Sequence, residues 1–121
     1  SGWEHAFMRF CDINEHIITW SSEGVRIPYL NPVLGKRTTY VPDFLIQYRN
    51  KNNQVVTELI EIKPKGQSIL ESKQNNAQQA VVAVNHAKWE PARAWCRQQG
   101  ITFRVITEDD IFRQGGNKRR R

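Results

Sequence analysis

The chain is poor in cysteine: Cys11 and Cys96 are its only two among 121 residues, and neither stands in a Cys-x-x-Cys or Cys-x-x-His arrangement. That excludes a disulfide framework and a zinc knuckle, and both residues read as reduced thiols of a cytosolic protein. The histidines His5, His16 and His86 are too scattered for a zinc motif. There is no run of about eighteen apolar residues and no charged-then-apolar leader, so neither membrane insertion nor secretion is indicated. The chain opens at Ser1 and not at methionine, which reads as an N-terminal extension removed or absent. Acidic residues are also scarce. Twelve Asp and Glu face eighteen Lys and Arg, and the net charge of +6 favours a polyanionic partner through counterion release.

What is present suffices for one compact domain. Hydrophobic residues make up 39% of the chain, with four Trp, three Tyr and five Phe, enough for a core without staples. We place the domain over residues 1–114, followed by a flexible basic tail at 115–121 in which Lys118, Arg119, Arg120 and Arg121 close the chain behind Gly115-Gly116-Asn117. Such a tail grips DNA or is merely a solvated end.

Trp3, Phe7 and Phe10 recur at helical spacing and predict a helix from Gly2 to about Asp12 with Glu4 on its first turn. After an irregular piece around residues 14–17, residues 23–30 alternate as a first strand. Two further strand-like runs, Tyr40 to Tyr48 and Val55 to Lys63, flank the turn-like stretch 49–54. Three strands in meander order are expected, with Pro42 at a bulge or on an edge. Residues 72–84 and 87–99 read as two helices interrupted at Asn85, with Pro91 in the first turn of the second and Gly100 as its stop. Residues 101–107 read as a fourth strand, parallel to the third after a helical crossover. A short last helix is expected from Asp109 to about Gln114.

The chemistry concentrates in Pro42-Asp43 and, eighteen residues after that aspartate, Glu61-Ile62-Lys63. Side chains two apart on a strand share a face, so Glu61 and Lys63 project together, and hairpin pairing brings Asp43 beside them. Phosphodiester hydrolysis needs stabilised charge at phosphorus, an ionised water and a protected leaving alkoxide, which one or two Mg²⁺ ions with hard oxygen ligands can provide. Asp43 and Glu61, with the backbone carbonyl of Ile62, are the candidate ligands. Lys63 is assigned to orienting the attacking water and offsetting charge, ahead of general-base duty. Taken singly, Glu-x-Lys is more often a cross-strand ion pair and Pro-Asp a turn. The order of elements around them is what favours a site.

That order, with Asp43, Glu61 and Lys63, resembles the PD-(D/E)xK nuclease superfamily. Ser1-Gly2-Trp3-Glu4, Ile27-Pro28-Tyr29, Pro42-Asp43-Phe44, Glu61 to Lys65, Lys88-Trp89 and Phe103 to Glu108 further resemble the head-completion nucleases of myovirus-type tailed phages, over roughly residues 1–112. A more distant resemblance is to the endonuclease subunit of certain transposases. The resemblance implies that Glu4 is a further active-site carboxylate and metal ligand; read without it, Glu4 is an exposed helix glutamate favourable to the N-terminal dipole. It also implies that Lys65 and Lys88 contact phosphate. Trp20, Trp89 and Trp95 are assigned to the core.

The expectation is therefore an α/β fold of the PD-(D/E)xK, restriction-endonuclease-like kind, a mixed four-stranded sheet flanked by helices. It is read as a Mg²⁺-dependent endodeoxyribonuclease, with Mn²⁺ able to substitute, that acts in phage head completion after packaging. The expected partners are DNA, portal or neck proteins and a second copy of the chain, in the virion or the host cytoplasm. A head-completion or neck protein that binds DNA or the portal without cutting, and a transposon-type endonuclease subunit, are the alternatives.

Overall fold

The computed structural model describes residues 2–71 and 73–110. In chain order these form α1 (Gly2–Ile13), β1 (Ile17–Ser22), β2 (Ile27–Asn31), β3 (Lys36–Tyr40), β4 (Phe44–Arg49), β5 (Val55–Ile62), a 3₁₀ turn (Lys65–Gln67), α2 (Asn76–Gln99) and β6 (Thr102–Ile106). The main sheet runs β1-β4-β5-β6, antiparallel except for the parallel β5–β6 pair, and β2 and β3 form a separate antiparallel hairpin. No described helix is long and apolar enough to cross a membrane.

Both faces of the sheet are covered, which is why Phe44-Leu45-Ile46 of β4 and Leu59-Ile60 of β5 are apolar without alternation. On one face Phe7 and Cys11 of α1 pack on Phe44, Ile46, Ile60, Ile62 and Ile106. The Phe7 and Phe44 rings lie 4.9 Å apart between centroids. On the other face Trp89, Ala92 and Cys96 of α2 meet Leu59 together with Ile27, Tyr29 and Tyr40 of the hairpin. Both thiols are free and buried, with the sheet between them.

The mixed four-stranded sheet flanked by helices is present, but its membership differs from the expected meander. Residues 23–30 do not supply its first strand; β2 pairs with β3 in the outlying hairpin, and β1 occupies that place beside β4. The run from Tyr40 to Tyr48 is likewise two strands, broken at Val41-Pro42-Asp43. Pro42 therefore sits in a buried break between strands and not at a bulge within one, as suits a residue with no ladder donor.

The two helices expected around Asn85 are one. Asn75 caps α2 through a reciprocal capping box with Gln78, and Gly100 ends it in the left-handed conformation at φ 72°. Asn85 is buried mid-helix and donates to the Gln67 carbonyl at 2.8 Å, so tertiary contact outweighs its modest helix propensity. Pro91 lies inside the helix. The expected last helix falls mostly, and the basic tail wholly, outside the described residues.

Pro91 leaves the Ala87 carbonyl without its helical donor. An interior proline costs about 3 kcal/mol relative to alanine, while its stiffening of the unfolded chain offsets up to about 1 kcal/mol. Pro91→Ala should therefore raise unfolding stability by about 2 kcal/mol, read from urea denaturation midpoints. A lower midpoint would show that the proline is needed where it stands.

Candidate active site

The break before β4 shapes the site. Beyond the Phe44↔Ile60 pair the β4–β5 ladder stops, and the Ile62 N–H donates instead to Asp43 Oδ2 at 2.7 Å. The side chain thus takes over where the strand has ended, and this holds the Asp43 carboxylate against the end of β5. Lys63 continues β5's pairing with β6 through its N–H to the Ile106 carbonyl at 2.9 Å. Strand alternation puts Ile60 and Ile62 on the α1 face and turns Glu61 to the other face with Leu59. Lys63 Nζ lies 3.6 Å from Glu61 Oε2.

Glu4, on the first turn of α1, joins Asp43, Ile62 and Lys63 in lining one pocket of about 470 Å³. The placement expected for Asp43, Glu61 and Lys63 on neighbouring runs is present, and the helix-borne Glu4 comes to the same place, hydrogen-bonded to Asp43. Among the described residues, no three or more His, Cys, Asp or Glu side chains are grouped closely enough to hold a metal ion by themselves.

The electrostatics are those of crowded anions. Burial pushes the Asp43 carboxyl up to about 7, helped by the charge of Glu61 and by Glu4 and opposed by the Ile62 N–H. Glu61, only 4% exposed, is also raised by burial, against the pull of Lys63, Tyr40, Lys88 and the Asp43 N–H. Its Oε1 has no hydrogen-bond partner.

Tyr40, which was not singled out from the sequence as a site residue, stands beneath Glu61. Its hydroxyl is within electrostatic reach of Glu61 and of Trp89 but short of hydrogen-bond geometry, so Tyr40 Oη, Glu61 Oε1 and Trp89 Nε1 form a buried group of polar atoms without partners. Burial, then the nearby carboxylates, raise the tyrosine's pKa well beyond its usual range. Nothing in a lone Tyr at a strand end signals this; the pairing of β3 with β2 is what brings it there.

Lys88, expected as a phosphate contact, is half-buried on α2 with Nζ 5.6 Å from the Tyr40 ring centre and 6.0 Å from that of Tyr29. Burial and then Lys63 lower its pKa, against the pull of Glu61 and Asp43. It therefore belongs to the carboxylate cluster more closely than its sequence position suggests. Lys65 is exposed and committed elsewhere, with Nζ 3.3 Å from Asp109 Oδ2 and its backbone N–H bonded to Glu108 at 2.7 Å. Trp89 is in the core, and Trp20 and Trp95 pack against its two halves.

Raised carboxylates give the metal-free protein a definite pH dependence. The fold keeps a proton on Asp43 that the unfolded chain releases near pH 4, so this stabilisation is complete below about pH 4 and is lost as pH rises through about 7. Melting temperature in chelator should fall across that window. Asp43→Asn, which keeps an oxygen for the Ile62 N–H, should flatten the fall; an unchanged slope would contradict the assignment.

The family model described as TnsA-like endonuclease N terminal matches residues 14–108, a span that contains Asp43, Glu61, Lys63 and Lys88 and leaves Glu4 outside it. The head completion nuclease of Enterobacteria phage T4 is 32% identical over 121 residues, covering 92% of this chain and 78% of the phage protein. Comparison with solved structures gives no significant match. Both sequence comparisons lead to nucleases, and the chain belongs to the TnsA-like endonuclease N-terminal family.

Proposed function

We propose that the protein is a Mg²⁺-dependent endodeoxyribonuclease that cuts DNA during phage head completion. The observation that carries this reading is Asp43 placed between Glu61 and Glu4, with the Lys63 ammonium 3.6 Å from Glu61 at the end of β5. Buried carboxylates whose charged forms are disfavoured, one with an oxygen lacking any partner, fit a hard divalent cation. Asp43, Glu61 and the Ile62 carbonyl would hold it, with Glu4 alongside. A bound Mg²⁺ usually keeps several waters, so a complete protein cage is not required. The ion supplies Lewis-acid stabilisation of the phosphate and a water of lowered pKa.

The chain's own residues do the rest. Lys63, held by Glu61 on one side and open to the pocket on the other, orients the water and offsets negative charge at the scissile phosphate. Lys88 adds a second cation behind it, and the Asp43 N–H steadies Glu61. The excess of positive charge draws in the DNA backbone. Lys118, Arg119, Arg120 and Arg121 would extend that grip as a tail.

The 78% coverage of the phage nuclease favours the phage role, in the virion or the host cytoplasm with portal or neck proteins as neighbours. The TnsA-like family model favours a second reading, an endonuclease subunit working with a transposase.

Incubation with linear and circular DNA in Mg²⁺, Mn²⁺ or chelator tests the proposal. Cleavage should require the metal and should be lost in Asp43→Ala and Glu61→Ala while both stay folded. Lys63→Arg keeps the charge but not the compact ammonium, and should fall by about a hundredfold or more, the scale of a positioned electrostatic group. Metal-independent cleavage, or normal turnover by either alanine variant, would sink the assignment.

A further inference from the structure

A second cleft, of about 460 Å³, opens on the far side of Lys63, between the turn of the β2–β3 hairpin and α2. That volume falls within the roughly 300–1,000 Å³ of ligand pockets. Lys63 lines both this cleft and the catalytic pocket, so the two are neighbours across one residue. Lys88 stands at the same end.

The lining has two chemical parts. Val33, Leu34, Val81 and Val84 provide apolar walls, and the first three are exposed at 59%, 63% and 43%. Amides provide the polar part. Asn31 Oδ1 accepts from the N–H groups of Val33 and Leu34 at 2.9 and 3.0 Å, fixing the turn, while its amide nitrogen is a further donor. Asn85 is buried and donates to Gln67, and its carbonyl oxygen is an acceptor. Among the described residues, no carboxylate lines the cleft.

Aliphatic walls, amides among them and two lysines at one end fit an apolar ring with an adjoining phosphate, as a nucleobase beside its phosphate would be. We propose that this cleft receives one unpaired nucleobase of the strand whose phosphate lies in the catalytic pocket, so that the preferred substrate carries an unpaired nucleotide next to the cut. The inference rests on the nuclease reading above. A base inside a duplex cannot enter a concave site without being unstacked and unpaired, whereas an unpaired nucleotide avoids most of that cost. The cleft would therefore discriminate unpaired from paired DNA.

The test compares a blunt duplex with the same duplex carrying a short single-stranded gap, using wild-type protein and Val81→Trp, whose indole fills the cleft from an exposed position. With Mg²⁺, wild type should cut the gapped DNA about tenfold faster or more, as expected when unstacking is spared. Val81→Trp should lose that preference yet still cut the blunt duplex. Leu34→Ser, which removes a wall from an exposed position, should reduce the preference too. In chelator, 2-aminopurine placed in the gap should change its fluorescence on binding wild type and not on binding Val81→Trp.

Equal cutting of both DNAs by wild type, or a preference that survives in Val81→Trp, would overturn the base pocket and leave the nuclease reading standing. If neither DNA is cut under any metal, the nuclease reading fails and the fluorescence decides the pocket alone. No difference in fluorescence between wild type and Val81→Trp would then reject it.

Discussion

The hydrogen bond from the Ile62 N–H to Asp43 Oδ2 at 2.7 Å is the contact around which the site is organised. It exists because the strand cannot be regular there: Pro42 has no N–H to give, and the chain breaks between β3 and β4. The break frees the Asp43 side chain to complete the ladder, and completing it fixes a carboxylate beside Glu61. The Phe7–Phe44 contact one residue further on docks α1 and carries Glu4 to the same end of the sheet. A local irregularity, held by core packing on both sides, thereby assembles residues from three elements.

The crowding has an energetic consequence. Burial disfavours the charged form of a carboxyl, and it raises both Asp43 and Glu61 even though Lys63 and Lys88 stand near, with the charge of Glu61 adding to the rise at Asp43. Lys63 does lower Glu61, as an opposite charge in contact must, but burial outweighs it. The fold tolerates this cost because β5 is buried on both faces and cannot turn Glu61 outward without slipping register.

The sequence made the β4–β5 pair, the parallel β6, α1 and the Asp43, Glu61, Lys63 constellation legible, because each rests on strong periodicity or fixed spacing. It hid β1. A register shift between Ile17 and Thr19 breaks the period of two, so that Ile17 and Trp20, three apart, turn inward. It hid β3 as well, where only Tyr40 is buried and Lys36 to Thr39 give no alternation. The continuity of α2 was masked by Asn85 and Pro91, whose local preferences are overridden by packing against the hairpin and the sheet. The positions of Tyr40 and Lys88 relative to Glu61 were invisible for the same reason: they depend on how the hairpin docks on α2, which no local pattern encodes.

The central claim is that the crowded carboxylates form a divalent-metal site, and calorimetric titration of Mn²⁺ into the protein tests it most directly. Run at about pH 6 and about pH 8.5 in buffers of different ionisation enthalpy, it counts protons as well as metal. Because Asp43 is pushed up to about 7, saturable binding should release close to one proton at the lower pH and far less at the higher, and Glu61→Gln should weaken it severely. Absence of saturable binding, or binding with no proton release at either pH that persists in Glu61→Gln, would contradict the account.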